Sequence, residues 1–241
     1  MIGVRQDMHV HSTFSDGRDT IEDNVAEAER LGLLELTCVD HVRGDTDWVA
    51  AYVAAVRRVN ATTPVVLHCG VEAKLLDTAG NLDLPPELVG VDAIYAADHQ
   101  VPLADGPHTP REVKALIVAG TLSPAEVLEA IVTSTAGALR RYSPVVIAHM
   151  FSILPKLGLS EGDVPQRLLD ELAAVTAQTG GRIEVSERWR CPTARTLRPF
   201  LRRGVPLLLS TDSHRSDTIG RYSYCVQVLA ELTEAESPVT G

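Results

Sequence analysis

Four cysteines in 241 residues, with no C-x-x-C pair, exclude a disulfide framework and a cysteine-based zinc site. Cys38 and Cys69 fall inside apolar runs, where a free thiol acts as a small hydrophobe, and Cys191 and Cys225 lie far from both. No apolar run is long enough to span a membrane, and residues 1–7 do not read as a secretory signal. The expected location is therefore cytoplasmic, with no membrane partner. Aromatics are only 4 % of the chain against 45 % hydrophobic residues. The interior must then be mostly Val, Leu, Ile and Ala, which suits parallel strands covered by helices. Basic residues are outnumbered 22 to 32, giving a formal net charge of −10, and no block of like charge forms a tail. That balance argues against a broad nucleic-acid footprint, which needs a basic face. It leaves room for a small anionic substrate, because bound cations reverse the local field.

What the chain does have is a run, Asp7 to Gly17, with two histidines two residues apart behind a short strand-like segment. Residues i and i+2 of a strand share a face, so His9 and His11 can serve one metal ion. Asp16 follows in the turn. Of the 8 histidines, most sit beside a carboxylate or end an apolar run. Leu33 to Val39 ends in Asp40-His41, Val65 to Val71 in Glu72, and Val91 to Ala97 in Asp98-His99. Val145 to Ala148 ends in His149, and Val205 to Thr211 in Asp212-Ser213-His214. The ends of strands are where α/β barrels place their chemistry.

Helical patterns separate these runs. Capping residues at Asp19 to Glu22 open a helix that Gly32 ends. Further helices are predicted over 47–60, 85–90, 110–119, 124–141, 165–179, 192–203 and 221–233, with a strand over 182–186. Residues 100–109 and 150–164 are the least regular, and the tail from Ser237 is expected to fray. About seven strand–helix units imply a parallel sheet in an α/β fold. Candidate ligands run from residue 9 to residue 214, and only a closed barrel brings all those strand ends to one rim. The expectation is therefore one domain over 1–241, with a core of about residues 5–234.

The order H-x-H-S-x-x-S-D-G, D-H, G-x-E, two isolated histidines and D-x-H resembles the PHP superfamily, the polymerase and histidinol phosphatase group, from Asp7 to His214. The resemblance implies a distorted (β/α)7 TIM-like barrel with up to three metals on its C-terminal rim. Carried over by residue, the ligands are His9, His11, Asp16, His41, Glu72, His99, His149, Asp212 and His214. One metal would take His9, His11, Glu72 and Asp212, a second Glu72, His99 and His149, and a third Asp16, His41 and His214. Glu72, Asp212 and His214 are the expected catalytic residues.

The donor chemistry points the same way on its own terms. Imidazoles and carboxylates without cysteine suit Zn, Mn or Fe, and the nine ligands that the resemblance implies would hold two or three such divalent ions. Metals sharing a carboxylate can bridge a water and lower its pKa to hydroxide at neutral pH. Phosphate needs donors on its other side, and Arg43, Arg188, Arg190 and Arg215 each follow a predicted strand. Arg188 and Arg190 would face the same way if the chain there stays extended. His108, in a Gly/Pro-rich loop, is a further substrate contact. His68 reads as an ordinary strand residue, and Asp40 and Asp98 as carboxylates that orient other groups.

The function expected is metal-dependent hydrolysis of a small phosphomonoester, resembling histidinol phosphatase. The alternatives are a phosphodiesterase or nucleotidase on small nucleotides, a hydrolase of a non-phosphate bond, and a non-catalytic module. An intact ligand set argues against the last.

Overall fold

A computed structural model describes residues 4–234 of the chain. The order is β1 (Gln6–Val10), α1 (Ile21–Leu31), β2 (Glu35–His41), α2 (Val49–Asn60), β3 (Val66–Lys74), β4 (Ala93–Ala97), β5 (Val101–Leu103) and β6 (Gly106–His108). Then come α3 (Pro110–Val118), α4 (Pro124–Arg141), β7 (Val145–Ile147), α5 (Leu154–Leu157), α6 (Gln166–Thr179), β8 (Arg182–Ser186), α7 (Ala194–Leu201), β9 (Leu207–Ser210) and α8 (Tyr224–Glu234).

Seven strands form one parallel sheet in the order β1-β2-β3-β4-β7-β8-β9, and β5 and β6 form a separate antiparallel hairpin. The sheet closes where the chain beyond β9 meets the end of β1. His11 N–H donates to the Ser213 carbonyl at 2.8 Å, and Ser213 N–H donates to that of His9 at 3.3 Å. The result is a seven-stranded barrel wrapped in helices. It matches the architecture expected from the strand–helix alternation.

Local chemistry sets the helix ends. Thr20 and Asp23 at α1, Thr109 and Glu112 at α3, and Ser123 and Glu126 at α4 each make a reciprocal capping box. Gly32 then closes α1 in the left-handed conformation. Two apolar layers hold the barrel. The larger lies between strands and helices, and includes Leu36, Leu67, Ile131, Leu169 and Phe200. The smaller gathers Met8, Val39, Tyr95, Ala97, Val146 and Leu208 from strands around the whole barrel, and so fills its interior. Below the rim the barrel is packed, which confines any chemistry to the rim.

Several expectations shift. Residues 85–90 are irregular, with a bend at Pro86 and a turn at Val89 and Gly90, and form no helix. Pro86 pushes Pro85 away from the helical region, and the segment is too short to recover. Residues 100–109 carry the β5–β6 hairpin, and residues 150–164 carry α5. α7 and α8 begin two or three residues later than predicted. The tail expected to fray lies outside the described residues. Among those described, no helix is long and apolar enough to cross a membrane.

Candidate metal centre at the barrel rim

The strands deliver their ends to one point. β1 brings His9 and then His11, β2 ends on His41, and β3 carries Glu72 two residues from its end. The residues just past β4, β7 and β9 supply His99, His149, Asp212 and His214. The turn after β1 supplies Asp16. It is so tight that a Cβ on Gly17 would lie 2.6 Å from the His11 and Ser12 backbone, so only glycine fits.

Glu72 is the hub, with 1 % of its surface exposed. Its Oε1 lies 2.8 Å from His149 Nε2 and 3.2 Å from His99 Nε2. Its Oε2 lies 3.0 Å from His41 Nδ1, 3.5 Å from His9 Nε2 and 3.6 Å from His11 Nε2. Asp212 Oδ1 stands 3.1 Å from His11 Nε2 and 3.4 Å from His214 Nδ1. Asp16 Oδ2 stands 3.3 Å from His214 Nε2 and 3.6 Å from His41 Nε2. All nine candidate ligands thus form one continuous cluster. Its groups overlap more than expected, because His11 also faces Asp16, and His41 also faces Glu72.

Buried carboxylates fix the imidazoles. Glu184 lies fully buried in β8, with both oxygens 3.2 Å from His9 Nδ1. Since a carboxylate only accepts, Nδ1 carries a proton, and Nε2 is the ring nitrogen turned toward the cluster. Glu184 also accepts the His149 N–H at 2.9 Å and the Ser210 hydroxyl. Ser152 donates to Asp98 at 2.7 Å, so its oxygen accepts from His149 Nδ1 at 3.0 Å, and this turns His149 Nε2 toward Glu72 Oε1, to which it donates at 2.8 Å. Asp40 accepts from the Ser12 amide and from the Ser12 and Ser15 hydroxyls, which sets the turn bearing Asp16. Two ligands have positive φ without being glycine, His149 at 25° and Asp212 at 50°. Such backbone persists where its surroundings over-determine it.

Burial alone would raise the Glu72 carboxyl, yet His99 and His9, with hydrogen bonds from His149 and His41, hold it well below the usual carboxylate range. The His214 hydrogen bond holds Asp16 low as well. Burial lowers His11 below an ordinary imidazole. Burial also opposes charge on His9, but Glu184 and Glu72 outweigh it and raise that ring well above the ordinary value.

These residues fit a metal. His9 Nε2, both nitrogens of His11 and Asp212 Oδ1 are buried and have no hydrogen-bond partner. Buried polar atoms left bare cost about 1–3 kcal/mol each, and His9, His11 and Asp212 each bring a ligand atom within 4.8 Å of the other two, so a cation between them would satisfy them. Lone pairs of imidazole beside ionised carboxylate are a donor set for Zn, Mn or Fe.

The expected substrate contacts scatter. Arg188 Nη1 donates to the Asp212 carbonyl at 3.2 Å and packs against His214, at the cluster's edge. Arg43 lines a cavity of about 760 Å³ that opens on His41, Glu72 and His99, with Lys74 and Lys156 on its wall. Arg215 pairs with Asp217 beside a second cavity. Arg190 turns away, because residues 187–190 form a turn in which its φ is 52°, and its guanidinium lies 5.1 Å from the Tyr224 ring. His108 pairs with Asp105 on the hairpin at 2.9 Å and lines neither cavity. His68 faces Glu35 at 3.7 Å, away from the cluster. Sequence reasoning missed Glu184 and Trp189, whose Nε1 donates to Asp212 Oδ2 at 2.5 Å.

The class so defined is a (β/α)7 barrel with a multinuclear candidate metal centre on its rim. A model of the PHP domain matches residues 7–188, and the chain belongs to that family. Asp212 and His214 lie beyond the matched span. Histidinol phosphate phosphatase from Lactococcus lactis, solved with zinc, L-histidinol and phosphate, has a similar fold: TM-score 0.69 and 16 % identity over 97 % of this chain and 94 % of that one. A candidate histidinol phosphatase from Listeria monocytogenes gives a TM-score of 0.66 and 14 % identity over 92 % and 99 %. No curated protein matches the sequence.

Proposed function

We propose that this chain is a metal-dependent phosphoesterase that hydrolyses a small phosphomonoester, with residues 1–241 acting as one PHP domain. The observation that carries the reading is the set of partnerless buried atoms on His9, His11 and Asp212, with His9 and His11 facing Glu72 and Asp212 facing His11. His9, His11, Glu72 and Asp212 would hold one metal; His99 and His149 with Glu72 a second; Asp16, His41 and His214 a third. Such ions supply Lewis-acid charge and an activated water when bound.

The chain's other residues do the rest. Glu184 and Ser152 each accept from Nδ1, of His9 and His149 in turn, so Nε2 of each ring is the nitrogen that would take a metal. Arg188 offers charge-assisted donors to phosphate oxygens at the cluster's edge. Lys156 and Arg43 add positive charge to the cavity wall. The fold likeness to the Lactococcus protein makes L-histidinol phosphate one informative probe. Phe14 and Trp48 line the same cavity and favour a second reading, a small nucleotide, since their rings offer stacking faces.

The test is turnover of a phosphomonoester panel, including L-histidinol phosphate and nucleoside monophosphates, with Mn, Zn or Fe supplied. Glu72→Gln should lower turnover at least about a hundredfold, beyond the usual loss when an outer-shell partner is removed, with an unchanged circular dichroism spectrum. Absence of phosphoester hydrolysis under every metal would overturn the proposal.

A further inference from the structure

The second cavity, of about 480 Å³, opens on Asp212 and His214, shares no lining residue with the cavity that Arg43 lines, and is lined by Arg18, Arg188, Arg215 and Arg221. That is four of the 22 basic residues of a chain with formal net charge −10. The two carboxylates on its wall are engaged elsewhere. Glu187 accepts from Ser223 Oγ at 2.7 Å and from the Tyr224 and Cys225 amides at 3.0 Å, at the start of α8. Asp212 faces His11 and Trp189.

The arginines are unequally held. Arg215 is paired with Asp217, and Arg221 donates through Nε to the Asp217 carbonyl at 3.3 Å and reaches Glu27 at 3.8 Å. The Arg18 guanidinium makes no hydrogen bond or ion pair among the described residues. Its backbone N–H donates to the His214 carbonyl at 2.9 Å, which roots the side chain beside a candidate ligand. A cleft walled by one sign of charge concentrates the opposite ion. Guanidinium forks match phosphate and carboxylate oxygens in pairs. Arg188 stands between the cluster and this cavity, so one molecule can reach both.

We infer that this cavity is a second anion subsite, and that the substrate is a phosphomonoester carrying a further phosphate or carboxylate away from the reacting phosphate. The inference rests on the phosphoesterase reading above. It goes beyond that reading by assigning Arg18, Arg215 and Arg221 to the remote group.

The test compares kcat/KM for propyl phosphate, 3-phosphooxypropanoate and 1,3-propanediol bisphosphate, with titration calorimetry of the same three compounds. The parent should favour the two compounds with a second anionic group by about tenfold or more, as expected for charge-assisted contacts. The better of the two identifies the remote group. Arg18→Ala and Arg221→Ala, both exposed positions, should each erase most of that preference through KM while leaving propyl phosphate turnover unchanged. Equal use of all three compounds, or variants that slow all three alike, would overturn the subsite while the phosphoesterase reading stands. If none is hydrolysed but the bisphosphate binds in calorimetry and loses affinity in both variants, the subsite stands and the phosphoesterase reading falls.

Discussion

Removing the Glu184 carboxylate should unsettle the metal centre from outside it. Three donors converge there: His9 Nδ1, the His149 amide and the Ser210 hydroxyl. In Glu184→Leu, which keeps the site filled, the hydroxyl can still turn to the Val185 carbonyl at 3.5 Å. The other two donors are stranded in a site with no solvent. At about 1–3 kcal/mol per buried unsatisfied donor, stability should fall by roughly 2–6 kcal/mol. That is a large share of the about 5–15 kcal/mol that holds a typical domain. Glu184→Gln keeps one acceptor oxygen and should lose about half as much. In Glu184→Leu the His9 ring loses the partner that orients it, so metal affinity should drop about 10- to 100-fold, and Glu184→Gln, with one acceptor left, should lose less. Urea unfolding of the metal-free protein measures the first effect, and competition with a chromogenic chelator measures the second. If both variants unfold at the parent's midpoint and hold zinc as tightly, Glu184 does not orient the ligands and the reasoning fails.

Arg188→Ala should weaken substrate binding by roughly 1.5–3 kcal/mol through loss of charge-assisted hydrogen bonds, seen in KM, with metal content unchanged by elemental analysis. A parent-like KM would remove Arg188 from the phosphate site. Metal loading should stabilise the fold, by about 2.7 kcal/mol when free metal is 100 times its Kd. A chelator should abolish that gain, and acid should diminish it, because imidazole ligands must be deprotonated to bind. A melting temperature indifferent to chelator at neutral pH would refute a metal bound to the folded state.

How far the sequence could be read depends on where each residue sits along its strand. His41, His99, His149 and His214 were legible because each interrupts or follows an apolar run, so the break in hydrophobicity marked the rim. Arg188 and Arg190 defeated the two-residue parity rule because the chain leaves extended geometry at once, with a turn through Trp189 and a positive φ at Arg190. Glu184 was hidden for a different reason. Arg182-Ile183-Glu184-Val185-Ser186 alternates as a half-exposed strand does, which sends Glu184 to solvent. A strand in a closed barrel has no solvent face. Its second face is the packed interior, so a carboxylate there must have partners waiting. The same argument covers the four buried carboxylates lying within strands: Asp7, Asp40, Glu72 and Glu184. Asp7 accepts from the Thr211 amide and hydroxyl and the Gly220 amide, fixing the approach to Asp212. Asp40 ties down the turn that carries Asp16, Glu184 holds His9 and His149, and Glu72 faces five imidazoles. Once closure of the barrel is accepted, each buried strand acid implies a group it must orient, and all four lead back to the same cluster.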